Sequence, residues 1–277
     1  MKIIIAKTAG FCYGVNRAVN LVYDSLESEE NIVTLGPLIH NPDVVKDFEE
    51  KGVFSVNSIE KVSENSTVIL RTHGVDKKTI ELLREKNCKI IDATCPFVKK
   101  IHNYVEKYYK KGYNIIVVGD KHHPEVEGIL GWCDNAYVIN NPEEIDLLKI
   151  TKSKICVVSQ TTFEQSLWNE ITERIASVNP DTEIINTICN ATEERQNEIS
   201  VIASQVDAVI VIGGKNSSNT KRLADVASKK CSNVYLIENS HELNIEDMRR
   251  FKTIGITAGA STPAYIIKEV AKMLEEK

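Results

Sequence analysis

Three cysteines set a ruler along this chain. Cys12 to Gly36, Cys95 to Gly119 and Cys189 to Gly213 each span 24 residues. Counting 28 residues from each cysteine reaches His40, His123 and Ser217, and counting 30 from the second and third reaches Glu125 and Asn219. The same parts recur each time: cysteine, amphipathic stretch, short apolar run, glycine, polar loop. In 96–111, Val98, Ile101, Val105 and Tyr108 recur at helical spacing behind Pro96, which suits a first helical position. Each passage then carries a further apolar run ending in a second polar loop. There His73, Thr161 and Ser261 stand 61, 66 and 72 residues from their cysteines.

Strands are expected at "KIIIA", "NIVTLG", "TVILRTHG", "CKIIDATC", "NIIVVGD", "AYVIN", "KICVVSQTT", "EIINTIC", "DAVIVIGG", "NVYLIE" and "TIGITAG". Their alternation with amphipathic stretches predicts an α/β protein with mainly parallel sheets. The first two passages close with strands that deliver the next cysteine, whereas the third ends on a helix. Residues 1–12 supply the missing strand. The expectation is three similar α/β units, 13–95, 96–189 and 190–277, the last completed by the N-terminal strand. They would form a pseudo-threefold trefoil whose cysteines meet at the centre.

The net charge of −5 argues against nucleic acid or an acidic membrane surface as the main partner. The apolar run in "MKIIIAKTAG" is too short for a signal peptide, and no stretch approaches a membrane span. Seven scattered cysteines predict reduced thiols in a cytoplasmic protein, so a cysteine cluster points to metal or catalysis.

In open α/β sheets, ligands bind outside the carboxyl ends of the strands. Cys12, Cys95 and Cys189 fall there, each at the start of a helix, where the dipole favours thiolate. Three thiolates suit a 4Fe–4S cluster whose fourth iron stays open to substrate and is prone to oxidative loss, leaving a three-iron remnant. Ordinary clusters take four cysteines. Cys88, Cys133, Cys156 and Cys231 lie off the ruler and read as small buried hydrophobes.

"GGKNSSNTKR" sets Ser217, Ser218 and Asn219 before a helix, where amides and hydroxyls cradle phosphate. It matches neither a Walker A loop nor a dinucleotide fingerprint. His40, His73 and Ser261 end equivalent loops and add donors without a basic surface. Glu125 is the one carboxylate at the 30-residue mark and reads as a proton carrier. Glu127 reads as a solvated neighbour, His122 as facing elsewhere, and His102 and His241 as surface residues.

The motifs "AGFCYGVNRAV", "GPLIHN", "RTHGV", "DATCPFVKK", "HPEVEG", "SQTTF", "NTICNAT", "GGKNSSNTKRL" and "TAGAST", in this order, span the whole chain. Together they resemble the 4-hydroxy-3-methylbut-2-enyl diphosphate reductase (IspH/LytB) family. The resemblance implies a trefoil around an iron–sulfur cluster held by Cys12, Cys95 and Cys189. It implies a substrate diphosphate among His40, His73, His123, Ser217, Ser218, Asn219 and Ser261. Glu125, Thr161 and His123 take the catalytic positions, Thr161 also touching substrate. The implied reaction is reductive dehydroxylation to isopentenyl and dimethylallyl diphosphate, the last step of the non-mevalonate pathway. Ferredoxin or flavodoxin is the electron donor the family suggests, and no docking patch stands out in the sequence. Pro42 and Asn190 depart from the family pattern beside functional positions without replacing any.

Two other readings fit parts of the pattern. Three thiolates with an open position also describe a catalytic zinc site, hence a hydrolase of a phosphorylated substrate. A non-catalytic redox sensor would keep the cluster but need neither phosphate loops nor an acid.

Overall fold

Apolar runs bounded by glycine and polar turns become short strands, and the amphipathic stretches between them become helices. The structure, a computed structural model, describes residues 1–148 and 154–276. In chain order the first elements are β1 (Lys2–Ile5), α1 (Tyr13–Leu26), β2 (Ile32–Leu35), α2 (Pro42–Glu50), β3 (Phe54–Val56), β4 (Thr67–Leu70), α3 (Lys77–Glu85) and β5 (Lys89–Asp92). Next come α4 (Pro96–Lys110), β6 (Asn114–Val118), α5 (Pro124–Leu130), β7 (Ala136–Ile139), β8 (Ile155–Ser159), α6 (Gln165–Val178) and β9 (Glu183–Ile184). The last are α7 (Asn190–Ala203), β10 (Ala208–Ile212), α8 (Ser218–Ser228), β11 (Val234–Ile237), α9 (Ile245–Met248), β12 (Thr253–Ala258) and α10 (Ala264–Glu275).

The strands form three four-stranded parallel sheets, ordered β3-β2-β4-β5, β7-β6-β8-β9 and β11-β10-β12-β1. In the last, β1 takes the place that β5 and β9 hold in theirs, pairing Ile3 with Ile254. By their contacts the residues fall into two compact units. One comprises 1–16, 39–47 and 190–277 and contains the sheet with β1. The other comprises 17–38 and 48–189 and contains the other two sheets.

Central strands such as β8 and β10 are apolar at nearly every position because both faces are covered. Ala208, Ile210 and Ile212 of β10 pack with Ile254, Ile256 and Val270, while Val209 and Val211 pack with Ile199 and Leu223. Likewise Ile116 and Val118 face Phe163 and Ile171, and Ile115 and Val117 face Ile101 and Ile129. Among the described residues, no helix is long and apolar enough to cross a membrane.

Two readings change. The sequence pattern did not indicate β3, a three-residue edge strand whose Phe54 is exposed, too short to show alternation. His102 is buried rather than on the surface. It lies beside Val98 and Val105 on the inward face of α4 and stacks on Trp132 at 4.8 Å and 21°. Burial holds its imidazole down at about 4, so it stays neutral near pH 7.

Candidate active site

In each sheet the chain runs out to one neighbour and returns to the other, so β2/β4, β6/β8 and β10/β12 flank a switch point. Crevices for ligands open at the carboxyl ends of such strands. Every residue assigned to the site from the sequence lies in a loop there or at the head of the following helix. The ruler's glycines have one structural job. Gly36, Gly119 and Gly213 each donate their N–H to the end of the neighbouring strand, at Val56, Ile139 and Ile237, over 2.7–2.8 Å.

The three cysteines are treated alike. Each directly precedes a helix, α1, α4 or α7. Cys12 donates its N–H to the carbonyl of Ala260 at 3.1 Å, Cys95 to Thr72 at 3.0 Å, and Cys189 to Thr161 at 3.1 Å. The residues after those acceptors are Ser261, His73 and Thr162. Thr161 therefore stands one residue ahead of the position the sequence comparison gave it.

Residues given no role by the sequence reading brace these loops. Buried Arg195 of α7 donates to the carbonyl of Gly10 at 2.7 Å, and Glu198 accepts from the amides of Lys7 and Thr8 and the hydroxyl of Thr8. Together they fix the segment leading into Cys12. Arg17 of α1 does the same ahead of Cys95, donating to the carbonyls of Asp92 and Thr94 at 3.1 and 3.2 Å. The signal was present, since each arginine follows a ruler cysteine within two turns, but nothing in the sequence says what it grips.

In the unit built on the β1-containing sheet, His40, Ser217, Ser218, Asn219 and Ser261 come together around Gly214. A Cβ on Gly214 would lie 2.4 Å from the carbonyl oxygen of His40. Ser261 donates to that same oxygen at 3.1 Å. Ser217 caps α8 by accepting from the N–H of Thr220 at 3.3 Å, which leaves its hydroxyl proton to donate. Asn219 is 4% exposed, and its Nδ2 has no hydrogen-bond partner among the described residues. A buried amide donor in that condition is costly unless something else supplies an acceptor.

The other unit brings together His73, His123, Glu125 and Thr161. The rings of His73 and His123 meet edge to face at 5.3 Å. His123 Nδ1 accepts from the N–H of Glu125 at 3.1 Å, so the neutral ring carries its proton on Nε2. Glu125, 2% exposed, receives the N–H of Thr161 at 2.6 Å and its Oγ1–H at 2.8 Å. Burial pushes the carboxyl up to about 7, against the pull of these two hydrogen bonds. It can therefore gain or lose a proton near neutrality.

The remaining thiols differ. Cys156 and Cys231 are buried in apolar layers, the former pushed up to about 12 by desolvation. Burial also raises half-buried Cys133, to about 11. Cys88, like Cys133, is only partly buried rather than a core residue, and it approaches the carbonyl of Ser63 at 3.6 Å. His122, Glu127 and His241 are exposed.

The chain thus has three parallel α/β sheets with a cysteine directly before a helix beside each, a cluster of polar donors around Gly214 in one unit, and a buried acid of near-neutral pKa in the other. The model of the LytB protein family matches residues 3–275, and the chain belongs to that family. It is 48% identical over 280 residues to the 4-hydroxy-3-methylbut-2-enyl diphosphate reductase of Caldanaerobacter subterraneus subsp. tengcongensis, covering 99% of this chain and 97% of that one. The enzyme of the same name from Clostridioides difficile is 44% identical, with 99% of each chain covered. Among solved structures, the E-1-hydroxy-2-methyl-but-2-enyl-4-diphosphate reductase of Plasmodium falciparum is similar with a TM-score of 0.95 and 29% identity, over 99% of this chain and 87% of that one. A structure described as (E)-4-hydroxy-3-methyl-but-2-enyl diphosphate reductase, the terminal enzyme of the non-mevalonate pathway, is similar with a TM-score of 0.71 and 43% identity over both full chains.

Proposed function

We propose that the chain reduces (E)-4-hydroxy-3-methylbut-2-enyl diphosphate to isopentenyl and dimethylallyl diphosphate. The allylic C–O bond breaks, the oxygen leaves as water, and two electrons and two protons are consumed. One proton goes to the departing oxygen and one to carbon, at either end of the allyl unit. The observation that carries this reading is the buried Glu125–Thr161 pair, a proton store of about neutral pKa beside a histidine donor.

The chain is an iron–sulfur protein in this reading, with Cys12, Cys95 and Cys189 as ligands of a 4Fe–4S cluster whose fourth iron is open. The donor set fits: three thiols free of disulfides, each only partly buried and each pinned by its own amide. Soft thiolates of this kind suit iron–sulfur ligation. When bound, the cluster supplies one-electron transfer and a Lewis-acidic iron.

The chain's own residues do the rest. His40, His73, Ser217, Ser218, Asn219 and Ser261 donate to the diphosphate, with His123 donating from Nε2. Binding energy spent there fixes the position of the reacting carbon. Glu125 delivers its proton from Oε2 through the hydroxyl of Thr161, 2.8 Å away, toward the leaving oxygen. The amide of Thr161 holds the other carboxyl oxygen still. Anaerobic turnover with dithionite and methyl viologen, followed by mass spectrometry, tests the reading. It expects both isomeric C5 diphosphates; release of inorganic phosphate with no reduced product would replace the reductase with a hydrolase.

A further inference from the structure

Reduction needs electrons from outside the chain, and one helix presents a surface suited to receiving their carrier. Helix α4 starts immediately after Cys95. Phe97, Lys100, Tyr104, Lys107 and Lys111 follow at alternating intervals of three and four residues, so they share one face. Phe97 is 41% exposed in the first turn, so its ring is open to a partner two residues from a proposed ligand. Helical side chains lean toward the N-terminus, so the Phe97 ring lies toward the Cys95 end.

Behind it runs a ladder of cations. Lys100 sits over the ring of Tyr104 at 5.7 Å, and Lys107 and Lys111 sit over Tyr108 at 5.6 and 5.7 Å. Lys154 adds a fourth over Tyr113 at 5.8 Å. The tyrosines pack against the apolar layer of the β6–β8 sheet, so they act as fixed pedestals. Of the nearby carboxylates, Glu106 pairs with Lys77 and Lys110 and Asp92 with Lys99, while Glu183 sits at the Tyr108 hydroxyl. Among the described residues, Lys100, Lys107, Lys111 and Lys154 form no ion pair. On a chain with net charge −5, this is a local inversion of sign.

We propose that this stripe of α4, from Phe97 to Lys111, is the docking surface for a small acidic one-electron carrier protein. The apolar ring seats against the rim of the carrier's redox centre, and the lysines meet its carboxylates. Each encounter moves one electron from the reduced carrier to this protein, and two encounters supply one turnover. The lysine heads already cover the tyrosine faces, so these rings are not free to stack nucleic-acid bases. The proposal rests on the reductase reading, but its test separates the two.

The triple variant K100E/K107E/K111E is compared with K230E/K252E/K268E, which changes total charge equally on exposed lysines elsewhere. Binding of oxidised flavodoxin is followed by calorimetry at several salt concentrations, and turnover is driven either by reduced flavodoxin or by dithionite with methyl viologen. Expected for the α4 variant are a Kd and a carrier KM raised at least about tenfold, a shallower salt dependence and an unchanged dye-driven rate. The milder K100Q/K107Q/K111Q should fall between, and F97A should weaken binding without altering the salt dependence. Equal effects in both triple variants, or none in the α4 variant, overturn the proposal. So does tighter binding of a single-stranded RNA than of flavodoxin to the same lysines. Absence of dye-driven reduction in the parent protein sinks the reductase reading instead, and the calorimetry still decides the surface.

Discussion

Glu125 and Thr161 lie 36 residues apart in sequence, yet the threonine donates both its amide and its hydroxyl to the one carboxyl group. The pair ties the head of α5 to the end of β8 and keeps a buried acid oriented. Replacing Glu125 with Gln keeps this geometry, since the amide can accept from Thr161 N–H and donate to its hydroxyl. It removes the acid. Turnover should fall roughly a hundredfold to ten-thousandfold with cluster content and substrate affinity retained. Steady-state kinetics beside iron analysis check this, and near-normal turnover would remove Glu125 from the chemistry.

Thr161→Val deletes the hydroxyl step but leaves the amide bond to Glu125. A loss of about tenfold to a hundredfold in kcat is expected, with Thr161→Ser recovering most of it. Equal activity of the Val and Ser variants would show that the hydroxyl carries no proton.

The raised carboxyl of Glu125 also has a stability signature. Its folded value, about 7, exceeds the unfolded value of 4.5, so the folded state holds the proton more tightly. Below the unfolded value the group costs nothing; between 4.5 and about 7 the unfolded chain ionises while the buried carboxyl keeps its proton, so stability falls, and the loss levels off once pH has passed the folded value. The full loss is on the order of 3 kcal/mol. Urea melts of the cluster-free protein should show Glu125→Gln gaining on the parent between pH 5 and pH 8. A constant difference across that range would contradict the burial argument.

Gly214 leaves no room for a side chain, because a methyl group would sit 2.4 Å from the carbonyl of His40. Gly214→Ala should push that loop away and raise KM for the diphosphate about tenfold, with a stability loss of about 1–3 kcal/mol. Unchanged KM would mean that the His40 loop does not help bind the substrate.

Iron and sulfide analysis of single serine variants separates ligands from packing residues. Cys12→Ser, Cys95→Ser and Cys189→Ser should each load poorly, whereas Cys88→Ser and Cys231→Ser should load like the parent. The same iron content in all five would undo the ligand assignment.

Much of this could be read from residue order, because parallel strands covered on both faces must be continuously apolar and the helices between them amphipathic. That made β8, β10 and α4 visible. β3 was not, since three half-exposed edge residues carry no period. His102 misled because histidine is polar by type, while its burial depends on Trp132 and Gly74, which come from other segments. The cysteine-to-glycine ruler worked where element lengths agree. Beyond it the offsets from cysteine vary, and Thr161 stands one residue short of the place that His73 and Ser261 hold, as strand register and the amide hydrogen bond from Cys189 both place it. Arg17 and Arg195 stood at visible positions behind ruler cysteines, but the grip they and Glu198 exert could not be read, because their partners, mostly backbone atoms, lie far along the chain.

The pairing of Lys2 with Thr253 has a consequence for biogenesis. On the ribosome β1 emerges long before its neighbour β12 exists, and must wait unpartnered while the intervening segments are made. Any chain interrupted before Thr253 would present β10 with an open flank, a ready template for association with other strands. The β1–β12 pairing can therefore form only after Thr253–Ala258 has been made, and blocking β1 should leave that flank of β12 unpaired.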